Sequence, residues 1–395
     1  MTAPPPKKVA VPSTGAITLA QLEQWGLKRN PRIGIARAMV DGASGRVTQS
    51  GLWPNPSIGA SGEHVSPVTH GGAIGGYVEQ RIVTGGKLRW SRELAQREKA
   101  EAQESASAEN LRVLTMVRLL YVQVLGDQAL VEAREESAEI GRRTAGIAKE
   151  LANIGQADNP DVLAASNEAE RLEIEAESAR QMLVQSRAQL AAVVGEPTIG
   201  VVEGKLEEVP VIEPDKVLVE SPELKVAALE IERAKAAVKR AQVEVIPDVM
   251  ARGGLRNNRE FSGFERVGLE GIFDVSVALP IFNRNQGGIA SAKAEAERAR
   301  YDAERVKVDI RIRLAAAVKQ YNEGKFAAER YKTKILPQAE QAVEQYSNSF
   351  RQMAAAYPLV LSAQRSLAMY QDAYVRALVM ARHAAVEVEG MVLAH

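Results

Sequence analysis

From Lys87 to Ile154 the apolar positions recur at steps of three and four, and the chain has no proline between Pro67 and Pro160. Leu114, Val117, Tyr121, Val124, Gln128 and Val131 form one such series, and Ile140, Thr144, Ile147, Leu151 and Ile154 form a second. These are narrow seams of the coiled-coil kind, one stripe on an otherwise charged surface. The 68 residues predict a helix of about 100 Å at about 1.5 Å per residue, with Gly126, Gly141 and Gly146 as its weak points. The period changes elsewhere. Phe273, Val275, Val277 and Leu279 alternate with smaller or polar residues, which reads as a strand with one apolar face. Val306, Val308, Ile310, Ile312 and Leu314 also alternate. Their flanks are rich in Ala, Glu and Arg and free of turn residues, so helix is expected there.

The landmarks occur twice. Pro31 and Pro54 bracket a helical stretch, and Pro222 and Pro247 bracket another, at offsets of 191 and 193 residues. Strand-like text follows each, ending in Gln80–Gly86 and in Leu279–Gly288. A very long helical stretch comes next in both halves, then Asn159-Pro160-Asp161-Val162-Leu163 and Tyr357-Pro358-Leu359-Val360-Leu361, with the two prolines 198 apart. Four landmarks in one order identify an internal two-fold repeat. The expected organisation is a tail over 1–16, a first repeat over 17–200, a linker over 201–220 and a second repeat over 221–392. The first repeat holds a helix, a hairpin at 51–83 and long helices at 87–154 and 160–196. The second holds a helix, a hairpin at 245–282 and helices at 288–353 and 358–390, with Pro337 expected to break the hydrogen-bond ladder.

The fold class is therefore mainly α with a small β part. Two hairpins give four strands per chain, expected around Ser57–Gly62, Ala73–Val78, Asp248–Gly254 and Phe273–Leu279. A membrane barrel needs at least eight strands of about 9–11 residues. Four cannot close, so several chains must pool their strands, and three would supply twelve.

Composition narrows the rest. Acidic and basic residues balance to a net charge of zero, so no nucleic-acid partner is expected. Cysteine is absent, which removes disulfides, thiolate metal sites and thiol nucleophiles. No uninterrupted run of about 18 apolar residues suggests a membrane-spanning helix. The opening Met1–Lys8 has no apolar stretch behind it long enough for a signal peptide. No side chains resemble a nucleophile–base pair, and neither enzyme activity nor a cofactor is expected. Thr84-Gly85-Gly86-Lys87 lacks the spacing of a phosphate loop and reads as a strand-to-helix joint. His64, His70, His383 and His395 read as surface histidines, because a metal site needs three or more convergent ligands. Asp158 and Asp161 read either as helix caps or as carboxylates ringing a cation path. Trp53, Tyr77, Phe273 and Phe282 fall near strand ends, as barrel-interface aromatics would.

Several stretches carry a family resemblance: Gly51-Leu52-Trp53-Pro54-Asn55-Pro56, Thr84-Gly85-Gly86-Lys87, Ser221-Pro222-Glu223-Leu224, Leu279–Gly287 and Ile335-Leu336-Pro337. Through them the chain resembles the TolC-like outer-membrane efflux proteins from about Ile17 to Val392, and within them the cation-efflux, CzcC- and CusC-like branch. The resemblance implies a homotrimer with a twelve-stranded barrel in outer-membrane lipid and a long helical coiled-coil barrel in the periplasm. An equatorial region would be made by the chain ends and the 201–220 linker. It also implies a periplasmic adaptor (membrane fusion) protein and an inner-membrane RND-type pump as partners, with heavy-metal cations as the cargo of the branch.

The adaptor-binding tip would lie at the two helix–helix turns. In the first turn it comprises Gly155, Asp158, Asn159, Pro160, Val162 and Leu163. In the second it comprises Tyr357, Pro358, Val360, Leu361 and Gln364, with Met353 standing where the family usually has glycine. The rival reading is a soluble elongated coiled-coil scaffold, which has no need for the Phe273–Leu279 alternation.

Overall fold

A computed structural model describes residues 16–63, 72–156, 158–262, 265–352, 354 and 356–393, the side chains of Phe261 and Ser262 excepted. His64, His70, His395, Met353 and the tail up to residue 15 lie outside these. The helices are α1 (Leu19–Arg29), α2 (Pro31–Ser50), α3 (Lys87–Asn153), α4 (Asn159–Val194), α5 (Pro214–Glu220), α6 (Pro222–Val243), α7 (Gln286–Arg330), α8 (Leu336–Arg351) and α9 (Tyr357–Glu389). The strands are β1 (Ser57–Glu63), β2 (Ala73–Ile82), β3 (Val249–Ser262) and β4 (Glu265–Val277). The chain divides into two units, one of residues 1–35, 107–221 and 308–395, the other of 36–106 and 222–307.

The first unit is helical. Its main core gathers Leu22 of α1, Val117, Tyr121 and Val124 of α3, Leu190 and Val194 of α4, and Leu378 of α9, with Val202 and Leu206 from the linker. The linker is fastened by polar contacts. The Tyr121 hydroxyl donates to the Glu203 carbonyl at 2.7 Å, and the Gln128 amide bonds both the N–H and the carbonyl of Val202 at 3.2 Å. Ile17 adds a parallel bridge to Val202, which ties the start of the described chain to its middle. An 18-residue window of α3 has mean hydropathy 1.2, enough by length and composition for a membrane span, yet half of it is buried within the protein. That apolarity serves packing.

Two of the glycines expected to weaken α3 are instead points of close approach. A Cβ at Gly126 would stand 2.4 Å from Val379 of α9, and one at Gly141 would stand 2.7 Å from Leu172 of α4. The alternating stretch of α7 is helix as expected. Ile310, Leu314, Ala317 and Tyr321 are its buried stripe, with Val308 and Ile312 turned outward. Pro337 acts as expected: it has no N–H to give to the preceding turn, and the ladder widens to a π-helical turn over Tyr331–Ile335.

The second unit carries the sheet, in order β1-β2-β3-β4, antiparallel throughout. β3 and β4 have 14 and 13 residues, so they extend well into the stretch expected to be a polar loop between Gly254 and Phe273. The stretch reads as loop because Arg256–Glu260 are five consecutive polar or charged residues and glycines recur at 253, 254, 263, 268 and 271. Within the strands, alternate residues supply each face of a sheet.

The sheet's base is held by a buried charge cluster. The Asp248 carboxylate accepts from Arg81 Nε at 2.7 Å, Lys87 Nζ at 2.8 Å and the Thr84 N–H at 3.2 Å. Lys87 is 5% exposed, which settles the Thr-Gly-Gly-Lys motif: its lysine is committed to a carboxylate that locks hairpin one to the root of hairpin two. Burial opposes ionisation of Asp248, but the bonds from Lys87, Arg81 and the Thr84 N–H outweigh it and hold the carboxyl at about 2. Asp248→Ala removes the nearer counter-ion of the buried Lys87 ammonium and leaves it only Glu244, at 4.0 Å. The expected cost is about 3 kcal/mol, read as a lowered melting temperature of the purified protein at pH 7. A melting point within a degree of wild type would refute the lock.

Candidate functional site

The sheet's two faces have the reverse of the usual polarity. In a strand, successive side chains point to opposite faces, so the register sorts them. One face carries Ile58 of β1, Ile74 and Val78 of β2, Leu255 of β3, and Leu269, Phe273 and Val275 of β4. Every one of these is exposed: Ile58 at 85%, Phe273 at 80% and Leu269 at 73%. The opposite face is charged and internally paired. Arg252 reaches Glu79 at 2.9 Å, and Arg256 reaches Glu270 at 2.8 Å and Glu63 at 2.5 Å. A sheet in water turns its apolar face inward. This one turns it outward, as a wall between lipid and an aqueous lumen does. β1 and β4 each leave an open edge in the sheet, and open apolar edges are a liability unless another chain pairs with them.

Trp53 (58% exposed) lies before β1 and Phe282 (90%) after β4, at the base of the hairpins, while Phe273 lies within the apolar face. Tyr77 differs from the other three. It lies on the charged face, its ring 4.2 Å from the Arg252 guanidinium and spread over Gly59, where a Cβ would stand 2.4 Å from the ring. It is a packing residue of the polar face.

The turns expected to form the tip belong to the first unit. α3 ends in a Schellman motif, with Gly155 at φ 72°, its N–H donating to the Ala152 carbonyl at 3.0 Å and the Gln156 N–H to the Leu151 carbonyl at 2.8 Å. Asp158 is the N-cap of α4 by position, and its side chain makes no capping hydrogen bond. Pro160 and Pro358 occupy first-turn positions of α4 and α9, where proline costs no hydrogen bond. Beneath the turns Tyr357 and Val360 form a small core with Ala148, Ala165 and Phe350, against which Val162 and Leu361 pack. Gln364 is also buried, donating to the Thr144 hydroxyl at 2.8 Å. Tyr357, Val360 and Gln364 therefore brace the helix–helix turns from inside. The exposed members are Gly155, Asp158, Asn159, Pro160, Leu163 and Pro358, joined by Ile154 and Leu359.

Sequence reasoning missed the charge network behind this core. Glu168 of α4 is 4% exposed and accepts from Arg365 of α9 at 2.8 and 3.2 Å and from Arg171 at 2.6 and 3.0 Å. Next to it Arg134 of α3 binds Asp372 of α9 and Glu175 of α4. Three helices are thereby tied by charge. Burial opposes ionisation of Glu168, and the arginine hydrogen bonds overcome it, holding the carboxyl at about 2. Burial, aided by the Glu168 charge, pushes the Tyr357 hydroxyl up to about 12. No sequence signal separates these residues from the many solvated Glu and Arg of the helices. The one available hint is that Glu168 falls on the stripe with Ala165, Leu172 and Ala176.

Known proteins agree with this geometry. The chain is 25% identical over 383 residues to the cobalt-zinc-cadmium resistance protein CzcC of Cupriavidus metallidurans, covering 95% of this chain and 90% of that protein. Its fold matches the outer membrane protein VceC of Vibrio cholerae with a TM-score of 0.76 at 21% identity, over 94% of this chain and 95% of the other. It matches CusC, described as forming a transmembrane channel, with a TM-score of 0.82 at 14% identity, over 95% and 92%. The family model for outer membrane efflux proteins matches residues 24–196 and 214–391. An outward apolar sheet face rules out a soluble coiled-coil scaffold, and a family match across both halves makes this chain a member of the outer membrane efflux protein family, an efflux channel component of the outer membrane.

Proposed function

We propose that three copies of the chain pool their strands into one twelve-stranded barrel and act as a passive duct for divalent heavy-metal cations. The helix–helix turns dock a periplasmic adaptor, and an inner-membrane RND-type pump supplies the energy. The observation that carries the duct is the sheet: four strands, an exposed apolar face, a charge-paired face and two open edges. The cargo follows from the CzcC likeness. The 154–163 and 354–359 turns are suited to docking because Ile154 and Leu163 stay 65% and 58% exposed on a braced scaffold.

Two measurements test this. Expressed behind an export signal, the chain is expected in the outer-membrane fraction as a trimer-sized band that collapses on heating. Recovery as a soluble monomer would defeat the barrel. In a host lacking its own channel, co-expression with a cognate adaptor and pump is expected to raise tolerance to zinc, cobalt and cadmium. Leu163→Asp is expected to abolish that gain while leaving the heat-sensitive trimer intact, since the residue is exposed and each protomer folds without it. Full tolerance with Leu163→Asp would remove the first turn from the docking surface.

A further inference from the structure

We infer that the cleft beneath the hairpins is a binding site for the headgroup of an anionic phospholipid in the periplasm-facing leaflet. The cleft has a volume of about 370 Å³ and lies among α2, α3 and α6, its polar lining including Arg46, Ser50, Ser91, Glu98 and Arg240. Its level is set by the chain. Ser50 ends α2 seven residues before β1 begins, Ser91 is in the first turns of α3, and Arg240 is in the last turn of α6. All three are seven to nine residues along the chain from the end of a strand. Leu52 and Trp53, in the connection from α2 to β1, and Leu279 and Phe282, in that from β4 to α7, are all exposed. A phospholipid whose acyl chains lie against that apolar belt places its phosphate at this depth.

The charge at this level is selective. The twelve residues flanking the base of each strand hold seven Lys or Arg and three Asp or Glu, in a chain whose total charge is zero. Several of these cations lack a carboxylate. Among the described residues Arg92, Arg284 and Lys239 are exposed and have no ion pair, whereas most arginines of the long helices are paired. Arg92 lies across Gly51, so close that a Cβ there would stand 3.3 Å from its side chain, and Gly51 is the chain neighbour of Ser50 in the cleft lining. Arg46 is 60% exposed and 3.5 Å from Glu98, a loose pair that a stronger anion can displace. Arg240 pairs with Glu244 one turn on and donates from Nε to Ser91 Oγ at 2.7 Å, which leaves the Ser91 hydroxyl proton free to donate outward.

Guanidinium groups and a hydroxyl converging on one cleft suit a phosphodiester, which accepts paired N–H bonds from arginine. Juxtamembrane bases are drawn to anionic lipid in the same way. None of these residues belongs to the helix–helix turns or to the charged sheet face.

The test uses the intact trimer in a non-ionic detergent, with native mass spectrometry after adding dioleoylphosphatidylglycerol, dioleoylphosphatidylcholine or inorganic phosphate. Phosphatidylglycerol is expected to remain bound at up to three copies per trimer and to be retained at least fivefold more than phosphatidylcholine. Inorganic phosphate is expected to leave no adduct. The Arg46→Gln/Arg92→Gln variant is expected to lower phosphatidylglycerol retention about tenfold, and Arg143→Gln, near the tip, to leave it unchanged. Equal retention of the two lipids overturns the site whatever the variant does. Retention that ignores the double substitution, or phosphate adducts equal to those of the lipid, overturns it as well. The heat-sensitive trimer band is scored on the same samples, so a failure of the barrel is told apart from a failure of the lipid site.

Discussion

Glu168→Gln is expected to loosen the tip and raise the resting conductance of the duct several-fold, with a loss of about 2 kcal/mol in protomer stability. The side chain is nearly isosteric, so the change is one of charge. Two arginines that now share a buried carboxylate would face a neutral amide able to accept far less strongly. The loss stays below that of a fully buried pair because the Arg365 and Arg171 side chains are 55% and 41% exposed and keep part of their hydration. Arg365 is on α9, five residues from Val360 in the small core beneath the turns, so slackening that contact acts directly on the second turn. Conductance of reconstituted trimers in planar bilayers at pH 7 reads the effect. The control is Glu139→Gln, which removes exposed pairs to Arg142 and Arg143 within one helix and is expected to change nothing. Equal conductance for the wild type and Glu168→Gln would mean that the network is structural and uninvolved in gating.

The same residue sets a pH dependence whose sign can be worked out. Its carboxyl is held at about 2, below the ordinary 4.5. A depressed carboxyl stabilises the fold fully above the unfolded value and loses that contribution as pH falls toward the folded one. The difference in melting temperature between wild type and Glu168→Gln is therefore expected to be largest at pH 7, to shrink below about pH 4.5 and to vanish near pH 2. A difference that persists undiminished at pH 2.5 would assign the stabilisation to packing instead of charge.

How much of this was readable in the chain depended on period. The seams of α3, the second long helix with its break at Pro337 and the paired Pro landmarks repeat over tens of residues, and one residue more or less does not hide them. The strands repeat over two residues, and only Phe273–Leu279 is apolar enough at every second position to stand out. Arg252, Arg256 and Glu270 obscured β3 and β4 because a wall facing water on one side and lipid on the other alternates charge with Leu255 and Leu269, and charge reads as loop. The tip turns were legible from Gly155, Pro160 and Pro358, whose backbone requirements are local. Which tip residues point inward was not legible. Tyr357 and Val360 are buried by residues up to about 200 positions away in sequence, and no local pattern encodes that. The Asp248 lock was hidden for the same reason: its partners Arg81, Thr84 and Lys87 are more than 160 residues upstream.

The strongest test of the sheet's orientation compares two neighbouring aliphatic residues. Leu255 of β3 lies opposite Gly271, and the adjacent pair is Gly254 with Ile272 of β4. Being one step apart in register, Leu255 and Ile272 emerge on opposite faces of the same patch of sheet. Leu255 is 60% exposed on the apolar face, while Ile272 shares its face with Arg252, Arg256 and Glu270. Arginine near the bilayer midplane on a lipid-facing strand costs about 2–4 kcal/mol, and on a lumen-facing position much less. The cost recurs in each protomer, so Leu255→Arg is expected to cut the heat-sensitive trimer recovered from outer membranes by more than tenfold. Ile272→Arg is expected to assemble at close to the wild-type level. Were the sheet a soluble element whose polar face met water, the apolar face would be a buried contact and either arginine would leave membrane recovery near zero for wild type and variant alike. Were the barrel inside out, the two variants would exchange phenotypes. Only an outward apolar wall yields one failure and one survivor at adjacent positions in this order.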